Sequence, residues 1–129
     1  MEEQLISKET AKLAKLKKYN IPSYSYYDDF ERDGYKKDGI HWLNLEESEP
    51  MINDKYKDDC YAAPTQGLLQ KWLREKHGIH ITVNYMREYQ GTKIGEYHVI
   101  ITNFNAFEST YEKALELGLQ KALKLIKTI

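Results

Sequence analysis

The sequence predicts an α+β domain in which a small antiparallel sheet packs against two or three helices. Three observations carry that expectation. Ile79, Ile81, Val83 and Tyr85 alternate with His80, Thr82 and Asn84, the period-two mark of a strand with one buried face. The stretches 64–77 and 109–127 instead gather their apolar residues on one arc of a 3.6-residue wheel. Gly78 stands between the two kinds of pattern, where a left-handed residue ends a helix.

The expected helices span about 8–18, 64–77 and 109–127. A hairpin of about 79–86 and 97–103 forms the sheet, joined by one or two strands nearer the N-terminus. With 129 residues, no internal repeats and no linker-like tract, all of this reads as a single domain, 1–129.

In the first helix Ser7 is the expected N-cap, with Asn20 and Pro22 as the stop. Its apolar stripe is thin, running through Ile6, Thr10 and Leu13 with Leu16 nearby. Lys8, Lys12 and Lys15 read as a solvated face. Tyr24–Tyr27 and Ile40–Leu43 have strand composition; between them Asp28–Gly39 is a charged turn region, and Glu46–Asp59 reads as a surface loop.

Pro64 suits the first turn of the second helix, because its missing N–H goes unused there. Leu68, Leu69, Trp72 and Leu73 share one arc, and Gln66, Gln70, Lys71, Arg74 and His77 the other. Tyr97–Thr102 is nearly continuous in apolar residues and reads as a central strand. Arg87–Glu96 reads as a long loop holding Gly91 and Gly95.

For the third helix, Ser109 and Glu112 are spaced as a capping box. Tyr111, Ala114, Leu115, Gly118, Leu119, Ala122, Leu125, Ile126 and Ile129 form its core stripe, and Lys121, Lys124 and Lys127 favour its C-terminal end. Gly118 predicts close approach to a strand or to the second helix.

Composition narrows the function. A net charge of −1 supplies no global field for nucleic acid or anionic lipid. The single cysteine, Cys60, excludes a disulfide framework, and Asp58 and Asp59 beside it oppose a reactive thiolate. The acidic start followed by no apolar run, and the lack of a stretch of roughly 20 apolar residues, point to the cytoplasm. Eleven tyrosines against three phenylalanines suit half-buried strand positions and, more sharply, an interaction surface.

Motifs for chemistry are absent. Asp29, Glu31, Asp33 and Gly34 imitate the start of an EF-hand loop, but Ile40 stands where the bidentate glutamate belongs. His77, His80 and His98, with His41, show no paired-ligand spacing. Neither a metal nor a cofactor is expected, and enzymatic activity has no motif behind it.

Three blocks carry a family resemblance: Glu9–Lys15 with Asn20-Ile21-Pro22; Ala63-Pro64-Thr65-Gln66 leading to Lys71-Trp72-Leu73-Arg74-Glu75 and Ile79-His80-Ile81; and Thr110–Glu116 through Leu123. The sequence resembles a family of small uncharacterised proteins of phages and prophages in gut anaerobes. That resemblance implies a mobile-element setting, hence the cytoplasm of a host cell. It implies no activity or catalytic residue.

The reading that results is a non-enzymatic protein-interaction module that binds a host or phage protein, or a second copy of itself. Leu117 is expected as an exposed apolar position on the third helix. The alternative is nucleic-acid binding by the outer face of the second helix. The order helix, strand, strand, helix is similar in topology to a double-stranded-RNA-binding domain, with the third strand missing or squeezed into Asn103–Glu108. Glu112 near the start of the last helix opposes phosphate. Candidate binding residues are Lys71, Arg74, His77, His80 and His98.

Overall fold

The computed structural model, which describes residues 4–28, 31–32, 35–36, 40–42, 52–53 and 60–126, has the α+β architecture that the two periodicities predict. It divides into two units: Leu5–Thr65, and a second formed from Gln66 onward together with Gln4.

In the first unit, helix α1 (Lys8–Leu16) starts as expected. Ser7 is extended, and its hydroxyl accepts the Thr10 N–H at 3.3 Å. The buried face comprises Thr10, Ala11 and Ala14, continuing from buried Ile6. Leu16, expected near that stripe, is exposed. The helix end also differs from expectation. Lys18 takes φ 66°, the Lys18 N–H donates to Lys15 at 3.0 Å and the Tyr19 N–H to Ala14 at 2.9 Å. This pair of reversed bonds is a Schellman ending, one residue ahead of Asn20. Tyr19 is fully buried just past the reversal, so its ring holds the lysine in a backbone conformation that glycine prefers.

Among the described residues, short strands follow: β1 (Ser25–Asp28), β2 (Glu31–Arg32), β3 (Tyr35–Lys36), β4 (Ile40–Trp42) and β5 (Cys60–Ala62). β2 pairs with β3, while β4, β1 and β5 form an antiparallel sheet in that order. Tyr26 lies opposite His41 on one side and Ala62 on the other. The two expected strands are therefore present, within a residue where described. β2 and β3 lie within Asp28–Gly39, read as a charged turn region, and β5 is likewise not expected, because two or three residues carry too little period to read.

Buried polar groups fasten this sheet. The Ser25 hydroxyl donates to the Ala63 carbonyl at 2.6 Å, and the Ala63 N–H donates back to the Ser25 carbonyl at 2.9 Å. Asn53, also buried, donates from Nδ2 to the Tyr19 carbonyl and accepts the Ala62 N–H at Oδ1, both at 2.9 Å. The Tyr27 hydroxyl donates to the Ile6 carbonyl at 2.7 Å. Lys12 and Lys15 are not simply solvated. Both stand over the Tyr61 ring, at 5.7 and 5.3 Å, and Lys15 Nζ donates to the Cys60 carbonyl.

The second unit opens with α2 (Gln66–His77). It begins two residues after Pro64, because Thr65 is extended in an antiparallel bridge with Leu5. Leu69 and Leu73 are buried as expected, whereas Leu68 is exposed and Trp72 half-buried. Gln66, expected on the outer face, is buried: its amide donates to the Glu112 carbonyl at 2.9 Å and to the Glu116 carboxylate at 3.0 Å. Gly78, at φ 65°, ends the helix as predicted.

Three antiparallel strands follow, β6 (Thr82–Tyr89), β7 (Thr92–Ile101) and β8 (Phe104–Glu108), with β7 central as its apolar run predicts. The long loop expected at Arg87–Glu96 is instead strand. Gln90 and Gly91, at φ 52° and 81°, make the two-residue turn, both left-handed as a type I′ hairpin requires. Met86 pairs with Glu96 and Glu88 with Lys93, so Ile94 and Gly95 together oppose Arg87. Gly95 has φ 56°, the conformation of a glycine bulge that bends and twists the ladder. β8 completes the order helix, three strands, helix.

Helix α3 (Tyr111–Leu125) is capped by Thr110, whose hydroxyl accepts the Lys113 N–H at 3.1 Å. The cap falls one residue after the expected Ser109, which puts Lys113 rather than Glu112 at the third helical position, so the expected box does not form. Ala114, Leu115, Gly118, Leu119, Ala122 and Leu123 are buried. Tyr111 and Leu125, expected in that stripe, are exposed, and Leu117 is half-buried. Lys127 and Ile129 lie outside the described residues. Gly118 sits against the sheet: a Cβ added there would lie 2.9 Å from methyls of both Ile81 and Val99. No helix among the described residues is long and apolar enough to cross a membrane.

Candidate functional site

The register of the three-stranded sheet sorts its side chains into two faces. Directly opposed residues share a face, and successive residues alternate. Ile81, Val99 and Ile101 lie beneath α3 and are buried. Farther along the same face Tyr85 pairs with Tyr97, and Tyr97 with Glu108, making one row across all three strands. Tyr111, the first residue of α3, adds a third ring. Tyr85 and Tyr97 meet edge to face at 5.1 Å, and Tyr97 and Tyr111 at 6.1 Å. Tyr85 is 58% exposed and Tyr111 42%, while Tyr97 and Glu108 are half-buried.

The opposite face carries Asn84, His98 and Phe107 in one row, with exposed Ile100 beside it. His98 stacks on Phe107 with ring centroids 4.5 Å apart and planes 12° from parallel, and its Nε2 lies 3.3 Å from the Asn105 side-chain oxygen. Tyr89 sits five residues beyond the Asn84–His98 pair, yet its ring meets Phe107 at 5.2 Å and His98 at 6.3 Å. A straight ladder would carry it roughly 16 Å away at the usual strand rise. The bulge at Gly95 accounts for the return, folding the hairpin end toward this face.

The residues singled out from the sequence are spread over α2, the approach to β6 and β7. Lys71 and Arg74 are exposed on α2. His77 ends that helix, edge-on to Trp72 at 4.7 Å; partial burial, then the charge of Lys76, holds its imidazole below the ordinary value. His80 is exposed before β6, and His98 belongs to the aromatic row of Phe107. No group of three potential ligands among the described residues could hold a metal ion. The acidic stretch at 29–34 and the Asp58-Asp59 pair fall largely outside the described residues.

Tyr85, Tyr89, Phe107, Glu108 and Tyr111 went unassigned from the sequence. Taking Gln90-Gly91 as a hairpin turn would have put Tyr89 on a strand and extended the pairing inward. The bulge that sets its final position left no comparable signal. No family model, curated relative or solved structure matches this chain.

Proposed function

We propose that this chain is a non-enzymatic protein-interaction module whose contact surface is the outer part of the β6–β7–β8 sheet. The observation that carries the reading is the exposure of aromatic side chains on both faces there, Tyr85 and Tyr111 on one and Tyr89 on the other. Such rings bury large area with little loss of rotamer freedom, and tyrosine is enriched at interface cores. The resemblance to phage and prophage proteins suggests a host or phage protein as partner, met in the host cytoplasm.

Nucleic-acid binding is the second reading. The completed order from α2 to α3 favours it, with Lys71 and Arg74 exposed on α2. Glu108 at the end of β8 and Glu112 at the start of α3 oppose it, since carboxylates repel phosphate.

A single comparison separates the two. Tagged protein carrying Tyr85→Ala, Tyr89→Ala or Arg74→Ala is tested for retention of a purified partner recovered with the parent chain, alongside its melting temperature and mobility shifts with RNA and DNA. At least one tyrosine variant should release the partner without a change in melting temperature. Retention by both tyrosine variants overturns the protein-binding reading, and a salt-sensitive shift lost in Arg74→Ala replaces it with the nucleic-acid one.

A further inference from the structure

The row Tyr85–Tyr97–Glu108 and the adjoining Tyr111 ring have a feature that the opposite face lacks. On that face His98 stacks on Phe107 and Tyr89 meets both rings, and the row Asn84–His98–Phe107 holds no carboxylate. Tyr85 and Tyr111 each meet Tyr97 edge to face and are themselves exposed. Glu108 lies directly across from Tyr97 on the same face. Glu108 as a residue is half-buried, and its carboxylate forms no ion pair or hydrogen bond with another described residue. Lys113, close by in sequence, is exposed and does not pair with it.

A carboxylate beside electron-rich rings attracts a cation through two terms at once. One is a charge-assisted hydrogen bond. The other is the cation–π interaction, which strengthens as water is excluded. Resting on the protein-interaction reading above, we infer that this patch receives an arginine side chain from a partner protein. Arginine fits better than lysine, because its planar guanidinium can lie on a tyrosine ring while its edge meets the carboxylate. The same charge excludes a phosphate backbone from this place.

The test is a titration of isotopically labelled protein, followed by amide NMR, with a Gly/Ser peptide carrying two arginines. A second peptide has citrulline, which is nearly isosteric and uncharged, at both positions. The arginine peptide should shift the amides of residues 85, 97, 108 and 111, and the citrulline peptide should leave them in place. Glu108→Gln should weaken binding about tenfold, equivalent to about 1.4 kcal/mol, with a spectrum otherwise like the parent. Tyr111→Ala is the second variant and should also weaken it. Equal binding of both peptides, or no response to either variant, overturns the assignment. Shifts confined to residues 89, 98 and 107 overturn it too while leaving the broader protein-binding reading intact.

Discussion

The two units solve the same problem with different means. The second buries a continuous apolar stripe of α3 against Ile81, Val99 and Ile101, and Gly118 lets helix and sheet approach closely. Among its described residues the first has short strands and a helix whose buried face is Thr10, Ala11 and Ala14. It is fastened by side-chain bonds to main-chain groups from Asn53, Ser25 and Tyr27. Apolar stripes tolerate small changes by repacking, whereas a buried hydrogen-bonding group leaves orphaned partners when removed. The first unit should therefore be the more brittle toward single polar substitutions.

Asn53 offers the largest test of that contrast. Asn53→Ala strands the Ala62 N–H and the Tyr19 carbonyl together, at about 1–3 kcal/mol each. A loss of about 3 kcal/mol is expected in urea unfolding. Asn53→Asp should not rescue it. Its carboxylate can still accept from Ala62, but it sets an oxygen against the Tyr19 carbonyl. A cost below 1 kcal/mol for both would show that the clasp is not what holds this unit.

The same contrast explains what the sequence revealed. The second unit was legible because long elements repeat their pattern: the middle of the α3 stripe, Ile81 in the alternation of 79–85 and the central strand matched, while Tyr85, Tyr111 and Leu125 at the ends of those patterns are exposed. Its errors came where one residue decides, as when Thr110 rather than Ser109 took the cap. The first unit was less legible because its determinants are pairings distant in sequence. Asn53 reaches back to Tyr19 and forward to Ala62, and nothing in its neighbours announces either bond. The aromatic rows suffered likewise, since strand register and a bulge decide which rings meet.

Gly118 tests the apolar side of the contrast, with a smaller effect. Helix propensity alone favours Gly118→Ala by about 1 kcal/mol. The new methyl, however, would meet Ile81 and Val99 methyls at 2.9 Å, and both belong to β-branched side chains with stiff χ1 angles. Overpacking of this kind typically costs about 1–3 kcal/mol. The net result should be a loss of about 1 kcal/mol, read from the urea midpoint. A net gain would mean that this face yields more easily than its 2.9 Å contacts imply.

The smallest effect concerns how each unit ends a helix. α1 turns at Lys18 with φ 66°, and α2 at Gly78 with φ 65°, nearly the same backbone with opposite suitability. A residue with a Cβ costs about 1–2 kcal/mol in this region, and glycine gives back part of that through its larger unfolded-state entropy. Lys18→Gly should therefore stabilise the protein by about 0.5–1 kcal/mol. Gly78→Lys should destabilise it by a similar amount, because a Cβ at Gly78 meets no atom within 4 Å and strain is the main cost. Lys18 is itself exposed. Equal and opposite shifts in the two urea midpoints would assign the effect to backbone conformation. If Lys18→Gly destabilises instead, the lysine side chain contributes more than its exposed position suggests, and the two helix ends are not equivalent.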